Sequence, residues 1–163
     1  METASTIEAL DGSDLVALAQ CMALDASVFP HASVPAVPGG GPPRVWIARP
    51  SRAGPVIAFV ATMRRANKLE VVGIAVDEAH RRSGLGRALL RAAVDAARER
   101  GLAMVTLHVS TANEGALALY ESEGFVAHRL LRRFYSPARF GNGGDAYEMV
   151  LRLRDLSARR PRP

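Results

Sequence analysis

The sequence predicts an α/β (α+β) single domain, a mixed central sheet of about seven strands with helices on its faces. Three observations carry that prediction. Short apolar, β-branched runs recur along the chain, separated by glycine, proline and asparagine turn signals. In the middle, the run from Leu69 to Val76 passes through a glycine turn into a segment of helical periodicity and emerges in another strand-like run, Met104 to Ser110. A crossover of that length makes the two runs parallel neighbours with a right-handed connection, whereas short connections elsewhere make antiparallel pairs.

In chain order, Ile7 to Leu10 is a first short strand, and Asp11-Gly12-Ser13 is a turn and helix start. Leu15, Leu18, Ala19, Met22 and Ala23 mark one face of a helix that ends at Phe29-Pro30. Residues 31–44 carry Pro35, Pro38, Pro42, Pro43 and Gly39-Gly40-Gly41, which suit neither a helix nor a central strand, so a surface loop is expected. Val45 to Ala48 and Val56 to Ala61 read as strands joined through Pro50, Ser51, Gly54 and Pro55, and residues 64–67 turn the chain into the Leu69 run. Leu89, Leu90, Ala93, Val94 and Ala97 form the buried stripe of the central helix, which Gly101 stops. Asn113 is the N-cap of a second helix with Ala116, Leu117 and Tyr120 on one side and Gly124 as its stop. Phe125 to Leu131 and Tyr147 to Leu153 are the last strands, linked by an excursion from Phe134 to Ala146. The domain is expected to span residues 1–154, with 155–163 a disordered basic tail.

Composition bounds the function. A chain of 163 residues, 48% hydrophobic and 23% charged, buries a core without disulfide or metal staples. No apolar run reaches the ~20 residues of a membrane span. The opening METASTIEALDGSD lacks the basic start and apolar run of a secretory leader, so the expected location is cytoplasmic. Cys21 is the sole cysteine, which excludes an intrachain disulfide and any multi-cysteine metal site. Net charge is +5, and of the 21 basic residues all but Lys68 are arginine. They are not gathered on one reading element and no zinc-finger or RNP motif occurs, so neither nucleic acid nor membrane is an expected partner.

The junction Arg81-Arg82-Ser83-Gly84-Leu85-Gly86 points to an anion. A helix start leaves N–H groups without partners and carries partial positive charge, the glycines remove Cβ atoms that would hold a phosphate away, and Arg81, Arg82 and Arg87 add full charges. No Lys-Ser or Lys-Thr follows, so the turn is not a P-loop, and the third glycine of a dinucleotide fingerprint is missing. The pattern that fits is R-x-x-G-x-G at Arg81, Gly84 and Gly86, which resembles the coenzyme A pyrophosphate signature of the GNAT superfamily of N-acetyltransferases. Asn113, Ala116, Tyr120, Gly124 and Phe125, the pattern N-x-x-A-x-x-x-Y-x-x-x-G-F, resemble that superfamily's other hallmark block. With the ending RRFYSP…GGDAYEM, these blocks are most similar to protein N-terminal acetyltransferases of the ribosomal-protein-alanine type and cover about half of the chain.

That resemblance implies the GNAT fold, with its fourth and fifth strands splayed, and acetyl-CoA as co-substrate with no metal. It places Ile74, Ala75 and Val76 along the pantetheine arm and Arg81, Arg82, Ser83, Gly84, Leu85, Gly86, Arg87 and Ala88 around the pyrophosphate. Asn113, Ala116 and Tyr120 complete the cofactor side. His108 alone reads as a histidine satisfied within a sheet; the resemblance makes it the general base, with Glu70 the second candidate, acting through water or binding the amine. Tyr120 alone reads as core; the resemblance makes it the acid that protonates the thiolate. Phe29, Pro30, Glu70 and Tyr135 would line the acceptor groove, with Phe134 as ordinary packing. Residues 31–44 depart from the family, which usually carries a second short helix there. The implied acceptor is a protein N-terminal α-amine, and the implied state a monomer or weak homodimer. The alternatives are a small-molecule amine, a lysine side chain, or an acyl-CoA-binding regulatory module with little turnover.

Overall fold

The computed structural model describes residues 5–28, 44–135 and 144–153. Seven strands form one sheet: β1 (Thr6–Ala9), β2 (Arg44–Arg49), β3 (Ala58–Arg65), β4 (Lys68–Val76), β5 (Met104–Ser110), β6 (Val126–Tyr135) and β7 (Gly144–Arg152). Their spatial order is β1-β2-β3-β4-β5-β7-β6, and among neighbouring strands only β4 and β5 run parallel. The helices are α1 (Leu15–Val28), α2 (Leu85–Glu99) and α3 (Glu114–Ser122), with a single 3-10 turn at Glu78–His80 before α2. The expected mixed sheet and the parallel crossover are both present.

The central helix folds as its periodicity dictates. Leu85, Leu89, Leu90, Ala93, Val94 and Ala97 are buried along one stripe of α2, packed with Leu69, Val71, Val105, Leu107 and Met149. Each fully buried leucine there contributes about 1.5–3 kcal/mol relative to exposure. Gly101 (φ 66°) and Gly124 (φ 88°) end α2 and α3 in the left-handed conformation that favours glycine.

On the opposite face α1 is rotated from the expected orientation. Ala17, Cys21 and Leu24 are buried against Val45, Ile47, Phe59, Ala61 and Ala75, whereas Leu15 and Met22, assigned to the inner face, are 71% and 59% exposed. The helix is apolar nearly all round, so periodicity alone does not select a face. Polar anchors do. Asp14 caps the helix by accepting from the Ala17 N–H (2.9 Å), and Gln20 Oε1 accepts from the Val56 N–H (3.1 Å). Arg49 joins Glu8 (3.5 Å), Asp14 (3.2 Å) and the Gly54 carbonyl (3.1 Å), tying β1, the start of α1 and the β2–β3 connection together.

Several boundaries move. Arg44, assigned to the loop, opens β2 by pairing with Thr62; residues 31–43 lie outside the described residues, as do Phe29, Pro30 and 155–163. β3 starts after Val56 and Ile57 and runs on through Arg64 and Arg65, which pair with Leu69 and Lys68, so the turn is only Ala66-Asn67. The excursion expected from Phe134 to Ala146 is shorter, because Tyr135 pairs with Gly144. The extra residues of β6 are absorbed by a bulge between Leu131 and Tyr135, where Arg133 turns to φ 53° and donates its N–H to Asp145 Oδ1 (2.8 Å).

Candidate active site

The site begins where the parallel pair comes apart. β4 and β5 are in register from Lys68–Met104 to Val71–Leu107 and pair no further, although β4 continues to Val76 and β5 to Ser110. On its other side β5 stays paired with β7 through Ser110–Ala146, so β4 is the strand that turns away. A bulge explains the turn: against β3, Ala61 pairs with Gly73 and Thr62 with Val71, leaving Val72 as the extra residue. The facing edges of β4 and β5 beyond Val71 and Leu107 therefore lack each other as backbone partners, and Ile74, Ala75 and Val76 line that opening.

The bulge also corrects the expected side-chain pattern. Strict alternation puts Glu70, Val72 and Ile74 on one side. In the structure Ile74 and Val76 pack on the α2 side, while Val72 and Ala75 pack on the α1 side. Glu70 thus shares a face with Val72 and not with Ile74.

At the far end of β4 the chain makes the α2 mouth. His80 Nδ1 lies 2.8 Å from Asp77 Oδ2, and Ser83 Oγ donates to the His80 carbonyl, closing the 3-10 turn. Arg82 (φ 62°) and Gly84 (φ 85°) both take left-handed conformations just before the helix. The first intrahelical bond runs from the Ala88 N–H to the Gly84 carbonyl (3.0 Å), so the N–H groups of Leu85, Gly86 and Arg87 precede it, with no side-chain cap. Glycine is required at Gly84 for its φ, since a Cβ there would meet nothing within 4 Å. At Gly86 a Cβ would meet Leu119 and Val76 at 3.7 Å, ordinary contact, and so would point toward α3 and β4. The arginines are not equivalent: Arg81 Nε donates to the Val76 carbonyl (3.3 Å), while Arg87 is engaged by Glu123 (3.2 Å) and Ser122 (3.1 Å) of the α3 end. Arg91 also holds Glu123 (2.7 Å), and its hydrogen bond keeps that carboxyl below the usual range.

The sheet divides the remaining candidates between two faces. On the α1 side, His108 Nδ1 lies 3.8 Å from Glu70 Oε1, and Arg65 Nε binds Glu70 Oε2 at 3.3 Å. The Phe134 ring stacks on His108 with centroids 4.7 Å apart, and Tyr135 meets Phe134 edge-on at 5.1 Å. Phe134, expected as packing, is 44% exposed and covers the candidate base. The signal that could have found it is the adjacent pair Phe134-Tyr135, the only Phe, Tyr or Trp residues of β6, at the end of that strand. On the α2 side, Tyr120 is 6% exposed and sits 6.0 Å from Phe125. Burial, reinforced by Tyr135, pushes its phenol up to about 12, so it keeps its proton at neutral pH. Asn113 caps α3, its Oδ1 accepting from the Ala116 N–H (3.1 Å), and its amide N–H groups are the donors it can offer a ligand. Ala116 packs against the α2-side core.

An unpaired strand gap, an uncapped helix mouth and titratable groups on both faces are a recurrent constellation. Residues 17–125 match the model of the acetyltransferase (GNAT) family, and the chain belongs to that family. The chain is 41% identical over 98 residues to the [ribosomal protein bS18]-alanine N-acetyltransferase of Escherichia coli K12, a match covering 60% of this chain and 65% of that relative's length. It is also 46% identical over 80 residues to N-alpha-acetyltransferase RimI of Mycobacterium tuberculosis, covering 49% of this chain and 46% of that one. Among solved structures, the ribosomal-protein-S18-alanine N-acetyltransferase of E. coli superposes with a TM-score of 0.75 at 29% identity, covering 96% of this chain and 99% of that chain. No described helix is long and apolar enough to cross a membrane.

Proposed function

We propose that this chain is an acetyl-CoA-dependent N-acetyltransferase acting on a protein N-terminal α-amine by direct attack within a ternary complex. The observation that carries the reading is the β4–β5 gap, open from Val72 and His108 onward, with the α2 mouth at one end and different chemistry on its two faces. The residues fit the donor. Ile74, Ala75 and Val76, paired with β3 on one side, lie along the edge that β5 leaves, where an extended amide-containing arm would pair, with the Val76 carbonyl already accepting from Arg81; the N–H groups of Leu85, Gly86 and Arg87 with Arg81 and Arg82 offer donors and charge to a pyrophosphate. Ser83 and Ala88 frame that mouth. Acetyl-CoA supplies an acyl carbon activated as a thioester.

The chain's own groups then divide the work. His108, oriented by Glu70 and covered by Phe134, takes a proton from the ammonium; an α-amine of pKa about 7.7–8.0 is within reach of an imidazole. The Val76 N–H points donor character at the thioester oxygen. As the C–N bond forms and the C–S bond breaks, Tyr120 gives its proton to the departing sulfur from the opposite face, and the second proton that the nitrogen sheds on becoming an amide passes through water to restore the phenol. Tyr135 stands at the acceptor side. Similarity to the ribosomal-protein-alanine and RimI enzymes supports the N-terminal acceptor.

The test is CoA release with a library of short peptides bearing free N-termini, set beside spermidine and lysine peptides with blocked α-amines. Turnover on the first group is expected. Release of CoA with only the other two would overturn the N-terminal reading, and release with none would overturn the enzyme reading.

A further inference from the structure

We propose that Glu148 is a positioning residue for the acceptor amine: with Glu70 it flanks His108 and holds the incoming group as its ammonium until His108 removes the proton. This rests on the reading of the α1-side face as the acceptor side. β5 and β7 are antiparallel with His108 directly opposite Glu148, and directly opposed residues share a face. Packing agrees, since Tyr147, Met149 and Leu151 all join the α2-side core, leaving Ala146, Glu148 and Val150 on the His108 side. Glu70 approaches His108 from the other flank, at 3.8 Å.

The result is a charged row across the sheet. Arg65 binds Glu70 Oε2 at 3.3 Å, and Arg129 binds Glu148 Oε2 at 3.1 Å. The arginines lie at the outer ends, 40% and 63% exposed, where water screens them; the carboxylates are 20% and 13% exposed. The centre of the row is therefore negative: Glu70 binds Arg65 through Oε2 and has Oε1 toward His108, and Arg129 binds Glu148 through Oε2. Beside them, in register with Glu70, the hydroxyl of Thr106 is buried without a hydrogen-bond partner among the described residues, and the residue is 2% exposed. A buried polar atom of this kind awaits a donor or acceptor.

A primary ammonium meets these demands, because it brings a positive charge and three donors on one small atom. The described acidic and histidine side chains do not group closely enough to ligate a metal. Holding an ammonium would by itself make the amine harder to deprotonate. Here the same two carboxylates stabilise the imidazolium that forms, so the proton moves from nitrogen to nitrogen inside one negative field.

The test compares wild type with Glu148→Gln, which keeps shape and removes charge. The expected outcome is an acceptor KM raised roughly tenfold, as for loss of a charge-assisted bond, with kcat, acetyl-CoA KM and melting temperature little changed. A purely structural role would move the last two instead. Calorimetry adds a readout without turnover: an Ala-Gly-Ser-Ala peptide amide should bind the CoA-saturated wild type better than its analogue with a hydroxyl for the terminal amine, and Glu148→Gln should erase the preference. An unchanged acceptor KM, or equal binding of amine and hydroxyl forms to wild type, overturns the proposal. If peptides are not acetylated but spermidine is, the N-terminal reading fails while Glu148 is still judged on the spermidine KM, because every amine arrives as an ammonium.

Discussion

On the α2 face the framework is one continuous stretch, β4, the mouth at 81–84 and the stripe Leu85 to Ala97, which Val105, Leu107, Tyr120 and Met149 join from later in the chain. On the α1 face the side chains that meet come from five strands, with Arg65, Glu70, His108, Phe134 and Glu148 brought together only by register and bulges. The first face is encoded largely by that one stretch, and on the proposed reading it takes a long anionic carrier along a strand edge. The second is assembled by the sheet, through pairing between strands far apart in sequence. The contrast teaches that the two sides of one sheet can be specified differently, one by contiguous sequence and the other by strand register.

Breaking the chemistry across the gap should produce the largest effects. Tyr120→Phe is expected to lower kcat about 100-fold or more with acetyl-CoA affinity unchanged; a normal kcat on a good acceptor would remove the acid role. His108→Ala should lower kcat/KM by a somewhat smaller factor and flatten the pH profile, because water can replace part of a base acting on an α-amine. Retention of the full rate and profile would move the base elsewhere. Gly84→Ala strains a left-handed position by about 1–2 kcal/mol and should raise the acetyl-CoA KM roughly tenfold by shifting the α2 mouth, leaving the acceptor KM alone. Equal effects on both KM values would show that the two halves are not separable as described.

Much of the α2 half was legible. The stripe Leu89, Leu90, Ala93, Val94 and Ala97 is buried as the spacing predicts, and Asn113 and Gly124 start and stop α3. Gly84 was identified for closeness to a ligand, whereas its φ is what demands glycine. The α1 half was less readable for physical reasons. A helix written LVALAQCMALDASV offers no polar stripe, so Gln20 and Asp14, not periodicity, set its rotation. Period-two alternation fails across Val72 because one extra residue there inverts every side chain after it. In the sequence Glu148 is only one residue of the ending GGDAYEM; the pairing of β5 with β7 is what sets it opposite His108.

Smaller effects sharpen the same contrast through stability. Because burial raises the folded Tyr120 phenol from 10.0 to about 12, the unfolded chain loses its proton first. The stabilisation is complete below pH 10 and is lost as pH rises toward about 12, at about 1.4 kcal/mol per pH unit. Burial raises Tyr135 as well, with the same sign. Urea midpoints between pH 9.5 and 11.5 should therefore fall less steeply in Tyr120→Phe than in wild type; parallel slopes would mean that Tyr120 is not held in the core.

Cys21 reports on the other face. Its thiol is 2% exposed under α1, and burial pushes it up to about 11. At pH 8 only about one thiol in a thousand is then thiolate, the reactive form. A disulfide-exchange reagent should label the native protein slowly and the urea-unfolded chain at once. Should labelling of the native chain be fast, α1 opens readily, and the acceptor face rests on a helix far less firmly seated than α2. Slow labelling means that α1, despite its exposed apolar outer side, stays seated over Cys21, and that its lack of a polar stripe makes it hard to read without making it loose.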